Sequence, residues 1–246
     1  MTKRKVINRI RKWHRYLGLV LGIQFLLWTL GGFYFSWTNI KEIRGDHLKK
    51  EQSVIPKNLR YVPPSSIINT LLEPSELLLS MKLTTILEAP IYEMEYLSDG
   101  EKKVVLINAL DGKIRKPLYK VEAIQIARQK LKVQGAITEV VYFTETGGHH
   151  EYRGRPLPAY AITFDAPTHT TVYVSQNYGT VQTLRSNQWR VFDFLWMLHT
   201  MDYQGRDNFN NLLLRAFSLF GLFTIFSGFA LFFLTSKTFN HKKTKS

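Results

Sequence analysis

Two long apolar runs, one near each end, decide what this chain can fold into. Tyr16–Trp37 spans 22 residues without Asp, Glu, Lys, Arg or His, and Ala216–Ser236 spans 21 more of the same kind. A helix rises ~1.5 Å per residue, so ~20 apolar residues match the ~30 Å hydrocarbon layer of a bilayer. Lys3, Arg4, Lys5, Arg9, Arg11, Lys12 and Arg15 precede the first run with no acid among them; Lys237, Lys242, Lys243 and Lys245 follow the second. Flanks rich in Lys and Arg stay cytoplasmic. The expectation is a two-span protein of the bacterial inner (cytoplasmic) membrane, with both termini cytoplasmic and residues 38–215 on the periplasmic, extracytoplasmic side.

The charge distribution supports that division. Of a net +14, the two tails hold 11 basic residues, leaving 22 basic against 19 acidic between the spans. Insertion topology and anionic lipid account for basic tails, so no nucleic-acid partner is expected, and membrane lipid is. The first run is also too long for a cleaved signal, whose apolar core is usually ~7–15 residues. It closes on Gly31-Gly32-Phe33-Tyr34-Phe35-Ser36-Trp37 instead of a small-residue cleavage site. Trp28, Tyr34 and Trp37 suit an interfacial aromatic belt, and the run reads as an uncleaved signal anchor. No cysteine is present, which excludes disulfides, thiolate metal sites and a Cys nucleophile.

Between the spans a pattern occurs twice. Pro63-Pro64-Ser65-Ser66 opens a short helix through Leu72, with Ser expected at the N-cap. Strands are expected at Met81–Leu87, Ile91–Tyr96 and Lys103–Asn108, with Asp99-Gly100 as a hairpin turn and Asp111-Gly112 as another before Lys113-Ile114. The second copy begins with helix Val121–Lys132, whose apolar positions are Val121, Ile124, Ala127 (or Ile126) and Leu131. Strands follow at Ile137–Thr144, Pro158–Phe164 and Thr170–Val174, closed by Asn177-Tyr178-Gly179-Thr180-Val181. Ala89-Pro90-Ile91-Tyr92-Glu93-Met94 aligns with Leu157-Pro158-Ala159-Tyr160-Ala161-Ile162, and Ile107–Ile114 aligns with Val174–Val181. The fold class expected is α+β, two helix-plus-antiparallel-sheet modules packed on each other between two transmembrane helices. The organisation reads as a basic tail 1–15, a span 16–37, a connector 38–62, modules at 63–118 and 119–186, an amphipathic juxtamembrane segment 187–215, a span 216–236, and a basic tail 237–246.

The module, with its closing strand, Gly turn and short strand, resembles PepSY. Lys12-Trp13-His14-Arg15-Tyr16-Leu17-Gly18, running on to Thr29-Leu30-Gly31-Gly32, resembles the opening helix of PepSY-associated transmembrane proteins. Leu198-His199-Thr200, Asp202-Tyr203, Gly205-Arg206 and Ser227-Gly228-Phe229-Ala230-Leu231 resemble that family's closing segment. Larger members place more membrane helices between these two, and some resemble iron-siderophore reductases that hold b-type haem between membrane histidines. The resemblance therefore implies His14 and His199 as haem ligands and b-type haem as a cofactor. His14 equally suits a headgroup anchor beside Trp13. His199 lies on a short helix whose apolar face (Phe192, Leu195, Trp196, Leu198) suits the membrane surface. The two histidines are then expected at opposite leaflets, so one iron would need ligands from a homodimer or another subunit.

Other candidates are weaker. Adjacent His149 and His150 point apart in extended chain, and the Gly147–Pro156 stretch reads as a solvated loop carrying Arg153 and Arg155. Glu93/Glu95 and Glu139/Glu145 alternate as solvated strand faces do. No nucleotide loop, HExxH or GxSxG occurs, so no catalytic residues are assigned. The function expected is an extracytoplasmic binding or regulatory module for a protein or peptide; the alternative is a haem-dependent redox component of iron uptake.

Overall fold

The computed structural model describes residues 3–50, 54–56, 58–133 and 135–236. The basic tail at 237–246 lies outside the described residues. The chain divides into two compact units, Met1–Thr38 with Val191–Ser246, and Asn39–Arg190.

In the first unit, α1 (Lys3–Trp37) and α6 (Leu212–Thr235) are the two helices long and apolar enough to cross a membrane. The helix α1 starts well before the apolar run because its basic flank contains good helix formers and no Gly or Pro before Gly18. Asn211 caps α6, its Oδ1 accepting from Leu214 N at 2.8 Å, which draws Arg215 into the first turn. The two helices meet where α6 lacks side chains. A Cβ on Gly221 would stand 3.3 Å from the Phe25 ring, and one on Gly228 3.3 Å from His14 Cε1. Glycines two turns apart on one face let helices approach closely where no hydrophobic drive separates them from lipid.

The second unit holds both modules. Its first sheet has the order β1 (Leu77–Ile86), β2 (Ala89–Ser98), β3 (Glu101–Asn108); its second has β4 (Ile137–Phe143), β5 (Ala159–Phe164), β6 (Thr170–Ser175), β7 (Val181–Arg185). All pairings are antiparallel. The Asp99-Gly100 turn forms as expected, both residues at positive φ, joining β2 to β3. One face of the first sheet packs on α3 (Pro64–Leu71) through Ile67, Tyr92, Met94 and Ile107. Its other face contributes Ile86, Ile91 and Leu106 to a common core with α4 (Lys120–Lys130) and with Ile162, Phe164, Val172 and Val174 of the second sheet. Neither small sheet buries enough alone; together they share one core.

The duplication extends to individual hydrogen bonds. Ala109 N donates to Pro90 O (3.0 Å) as Gln176 N does to Pro158 O (2.9 Å). Gly112 N reaches Asn108 O (2.9 Å) as Gly179 N reaches Ser175 O (3.0 Å), and Asn108 N–Lys113 O matches Ser175 N–Thr180 O. Gly112 and Gly179 both sit at positive φ, 73° and 64°. The copies then differ: the second continues into β7, while the first stops at a single bridge, Ile107–Ile114.

Two local expectations are corrected. Pro63, not a serine, is the N-cap of α3, with Pro64 at N1, where its fixed φ suits the first turn. The buried face of α4 is Ala123, Ile126, Ala127 and then Leu131, while Val121 is 65% exposed. The helix begins at Lys120 with Glu122 accepting from Tyr119 N (3.0 Å), and that start sets the facing positions. Within the connector, α2 (Ile40–Ile43) and a 3-10 turn at Asp46–Leu48 bury Ile43 and Leu48, and Lys49 bridges to Leu131.

Candidate functional site

The two modules differ most in the connection between their first two strands. In the second, residues 144–158 leave β4 and fold back over the sheet. Tyr152, wholly buried, stacks on Tyr173 with ring centroids 5.0 Å apart and meets Phe143 edge-on at 5.4 Å. With Ala159, Ala161 and Leu157 these residues close that face of the sheet. Burial keeps the Tyr152 and Tyr173 hydroxyls protonated far into alkaline pH. In the first module the same connection is a two-residue turn, Leu87-Glu88, both at positive φ. No loop covers that face. α4 and the second sheet bury Ile86, Ile91 and Leu106 there, and beside them a cleft of about 520 Å³ remains, whose walls include Lys82, Thr84, Glu93, Gln129, Lys130 and Thr180.

The internal alignment places Glu93 where the second copy has Ala161, and Glu95 where it has Thr163. Both carboxylates were expected in solvent; both are covered, because β2 is a central strand with an element on each face. The Glu93 side chain is 3% exposed and paired with Lys82 Nζ at 2.7 Å. Glu95 Oε1 accepts from Lys102 Nζ (3.0 Å) and the Tyr178 hydroxyl (2.9 Å), and Ser80 Oγ reaches Oε2 at 3.2 Å. The Lys102 ammonium, then the Tyr178 hydroxyl, hold the Glu95 carboxyl below the usual glutamate range. Glu139 and Glu145 are exposed, as expected.

The stretch 147–156 is a packed element and not a solvated loop. His149 is exposed, but His150 packs on Phe143 and accepts from Tyr152 N through Nδ1 at 3.1 Å. Glu151 is held by Arg190 (Nε 2.5 Å) and by the Tyr173 hydroxyl (3.2 Å), and Arg185 lies 3.9 Å over the Trp189 ring. Arg155 donates to Gln182 O at 3.1 Å. The Glu151–Arg190 cluster escaped the sequence reading because its members lie 39 residues apart with no motif joining them. Among the described residues no three His, Cys, Asp or Glu side chains form a metal-holding group.

The two membrane-unit histidines occupy separate places. His14 Nδ1 is 2.8 Å from Ser227 Oγ, against α6. His199 ends α5 (Asn187–Thr200), its ring near Trp28, Phe35 and Trp196 at 5.8, 5.9 and 6.4 Å. The apolar face expected to lie on lipid thus packs on α1, with Phe192 4.9 Å from Phe35. Gln24 and Trp28 both donate to Leu198 O, at 2.9 and 3.2 Å, satisfying a carbonyl the helix end would leave open. Asp193 pairs with Arg206, and Asp202 accepts from the amides of Asn208, Gly205 and Gln204, fixing the turn into α6. His199 Nδ1 is buried without a partner among the described residues. His14 and Trp28 are 14 residues apart on one helix, about 21 Å at ~1.5 Å per residue. The two imidazoles of one chain therefore do not fit two sides of one iron.

Comparison with family models matches residues 2–235 to the PepSY-associated TM region. Comparisons with curated proteins and with solved structures gave no match. The family match covers nearly the whole chain and, with the two apolar helices, marks a membrane-anchored protein.

Proposed function

The chain belongs to the PepSY-associated TM family, and on that footing we propose that it is a membrane-tethered binding or regulatory module. Its paired modules engage a protein or peptide on the extracytoplasmic side. The observation that carries this reading is the open cleft beside the first sheet, where no counterpart of the Tyr152 loop lies. A polar, partly enclosed surface with a buried charge suits recognition. The basic residues preceding the first span, against near-balanced charge in 38–215, support inner-membrane insertion with cytoplasmic termini. Thr84→Trp, which fills the cleft, should abolish binding in a peptide-array screen of the full chain in nanodiscs. Array binding that survives Thr84→Trp would place recognition elsewhere and remove this reading. A C-terminal alkaline-phosphatase fusion should be inactive; high activity would overturn the orientation.

One observation favours a second reading, a haem-binding redox component of iron uptake: the His199 Nδ1 is enclosed by aromatic rings without a hydrogen-bond partner among the described residues. Haem would supply one-electron chemistry there. His14 and His199 of a single chain do not make a bis-histidine pair, so a homodimer or further subunit would complete each site. A visible spectrum of detergent-purified protein made with ample haem discriminates; a Soret band with dithionite-shifted α and β bands favours this reading.

A further inference from the structure

The cleft also selects a shape and a charge for its ligand, an inference that rests on the binding-module reading. Six consecutive residues, Lys82 to Leu87, line it. Successive strand side chains point to opposite faces, so a cavity touching both parities takes in the edge of β1 as well as the face that carries Glu93. Among the described residues β1 pairs with β2 alone. An unpaired edge presents a row of N–H and C=O groups that another extended chain can satisfy. The register irregularity of β1 lies at Leu78/Ser80, leaving Ser80–Ile86 regular, with no proline to block pairing. Beyond it Leu77, Leu78 and Leu79 are 62%, 40% and 48% exposed, an apolar continuation of the same edge.

The rim sets the charge. Glu93 is already neutralised by Lys82, whereas Lys130, on the facing wall at the end of α4, has no ion-pair partner among the described residues. We propose that the cleft accepts an extended peptide segment that adds to β1 as a further strand and sets a carboxylate against Lys130. Residues 144–158 cover the second sheet, whereas the second module itself packs on the first sheet at Ile86, Ile91 and Leu106 and leaves the β1 edge to another chain.

The test uses the full chain in nanodiscs and fluorescent eight-residue probes of alternating Thr and Val with one central Asp. Matched probes carry Lys in place of Asp, or N-methyl groups at alternate residues. The Asp probe should bind, Lys130→Glu should weaken it about tenfold and turn the preference to the Lys probe, and the N-methylated probe should not bind. Equal binding of the N-methylated probe, or no effect of Lys130→Glu, overturns edge pairing while the binding-module reading stands. Failure of every probe overturns both. Because the chain has no cysteine, Ser80→Cys reports self-pairing cleanly; disulfide-linked dimers formed without probe would put a second copy on this edge and overturn the proposal.

Discussion

The Tyr178 hydroxyl donates to Glu95 Oε1 across 2.9 Å, joining the glycine turn of the second module to the central strand of the first. The aligned residue in the first copy, Asp111, is an exposed turn residue. The bond therefore belongs to the packing of one copy on the other and not to the repeat itself.

This contact gives the outer domain an acid-sensitive seam. Glu95 has a folded pKa below its ordinary 4.5, owing first to Lys102 and then to Tyr178. A lowered carboxylate pKa stabilises above the unfolded value, and that stability is lost as pH falls through the folded one. Thermal scans of the full chain in detergent should show stability declining below pH 4.5, and Glu95→Gln should flatten that part of the decline. Tyr178→Phe should move the lower end of the decline upward toward 4.5, making the total loss smaller, and cost about 1–2 kcal/mol at neutral pH. An unchanged acid profile in Glu95→Gln would assign the sensitivity to other groups.

Gly179 should tolerate replacement poorly. Its φ is +64°, and a Cβ would overlap Ile86 Cδ1 and stand 3.2 Å from Leu106 and Leu118. Left-handed backbone costs an L-residue about 1–2 kcal/mol, and core crowding adds about 1–3 kcal/mol. Gly179→Ala should lower the melting temperature markedly, while Gly112→Ala, with its nearest contact at 3.7 Å, should cost only the backbone part. Equal losses at both sites would mean that the modules do not meet tightly at this turn.

Glu88 points the other way. It is exposed at the second position of the β1–β2 turn with φ +69°, a conformation glycine adopts freely. Glu88→Gly should stabilise the chain by about 1 kcal/mol, read as a rise in melting temperature without change in probe binding. A fall would show that the glutamate makes a contact outweighing its strain.

Asp202 ties the turn between α5 and α6 by accepting three backbone amides. The Asn208 amide contributes most to holding its carboxyl below the usual range. Asp202→Ala should cost about 1–3 kcal/mol through amides left unsatisfied, with Asp202→Asn recovering part of it. Limited proteolysis within 203–210 is the readout; resistance equal to the parent would show the turn is held elsewhere.

The membrane helices and the repeated strands were legible because each rests on periodic local signals: uncharged runs, alternation, and glycine turns such as Asp99-Gly100. What stayed hidden depended on partners distant in sequence. Glu93 and Glu95 alternate just as exposed strand residues do, and only the position of β2 within its sheet covers them. Tyr152 sat in a stretch rich in Gly, His and Arg, which has loop composition; its burial comes from Tyr173 and Phe143, brought near by the register of β4, β5 and β6. The face of α4 was misassigned because Val121 is apolar but lies in the helix's first turn, before the packed face begins.

The short Leu87-Glu88 turn has a consequence for how this architecture diversifies. The length of one hairpin connection acts as a dial between a sealed scaffold and a receptive one, without altering any strand. Residues inserted between Ile86 and Ala89 would lie at the mouth of the cleft, which Ile86 and Leu87 line. Natural variation at that single point would tune access to the cleft while the core of Ile91, Leu106 and Ile162 stayed as it is.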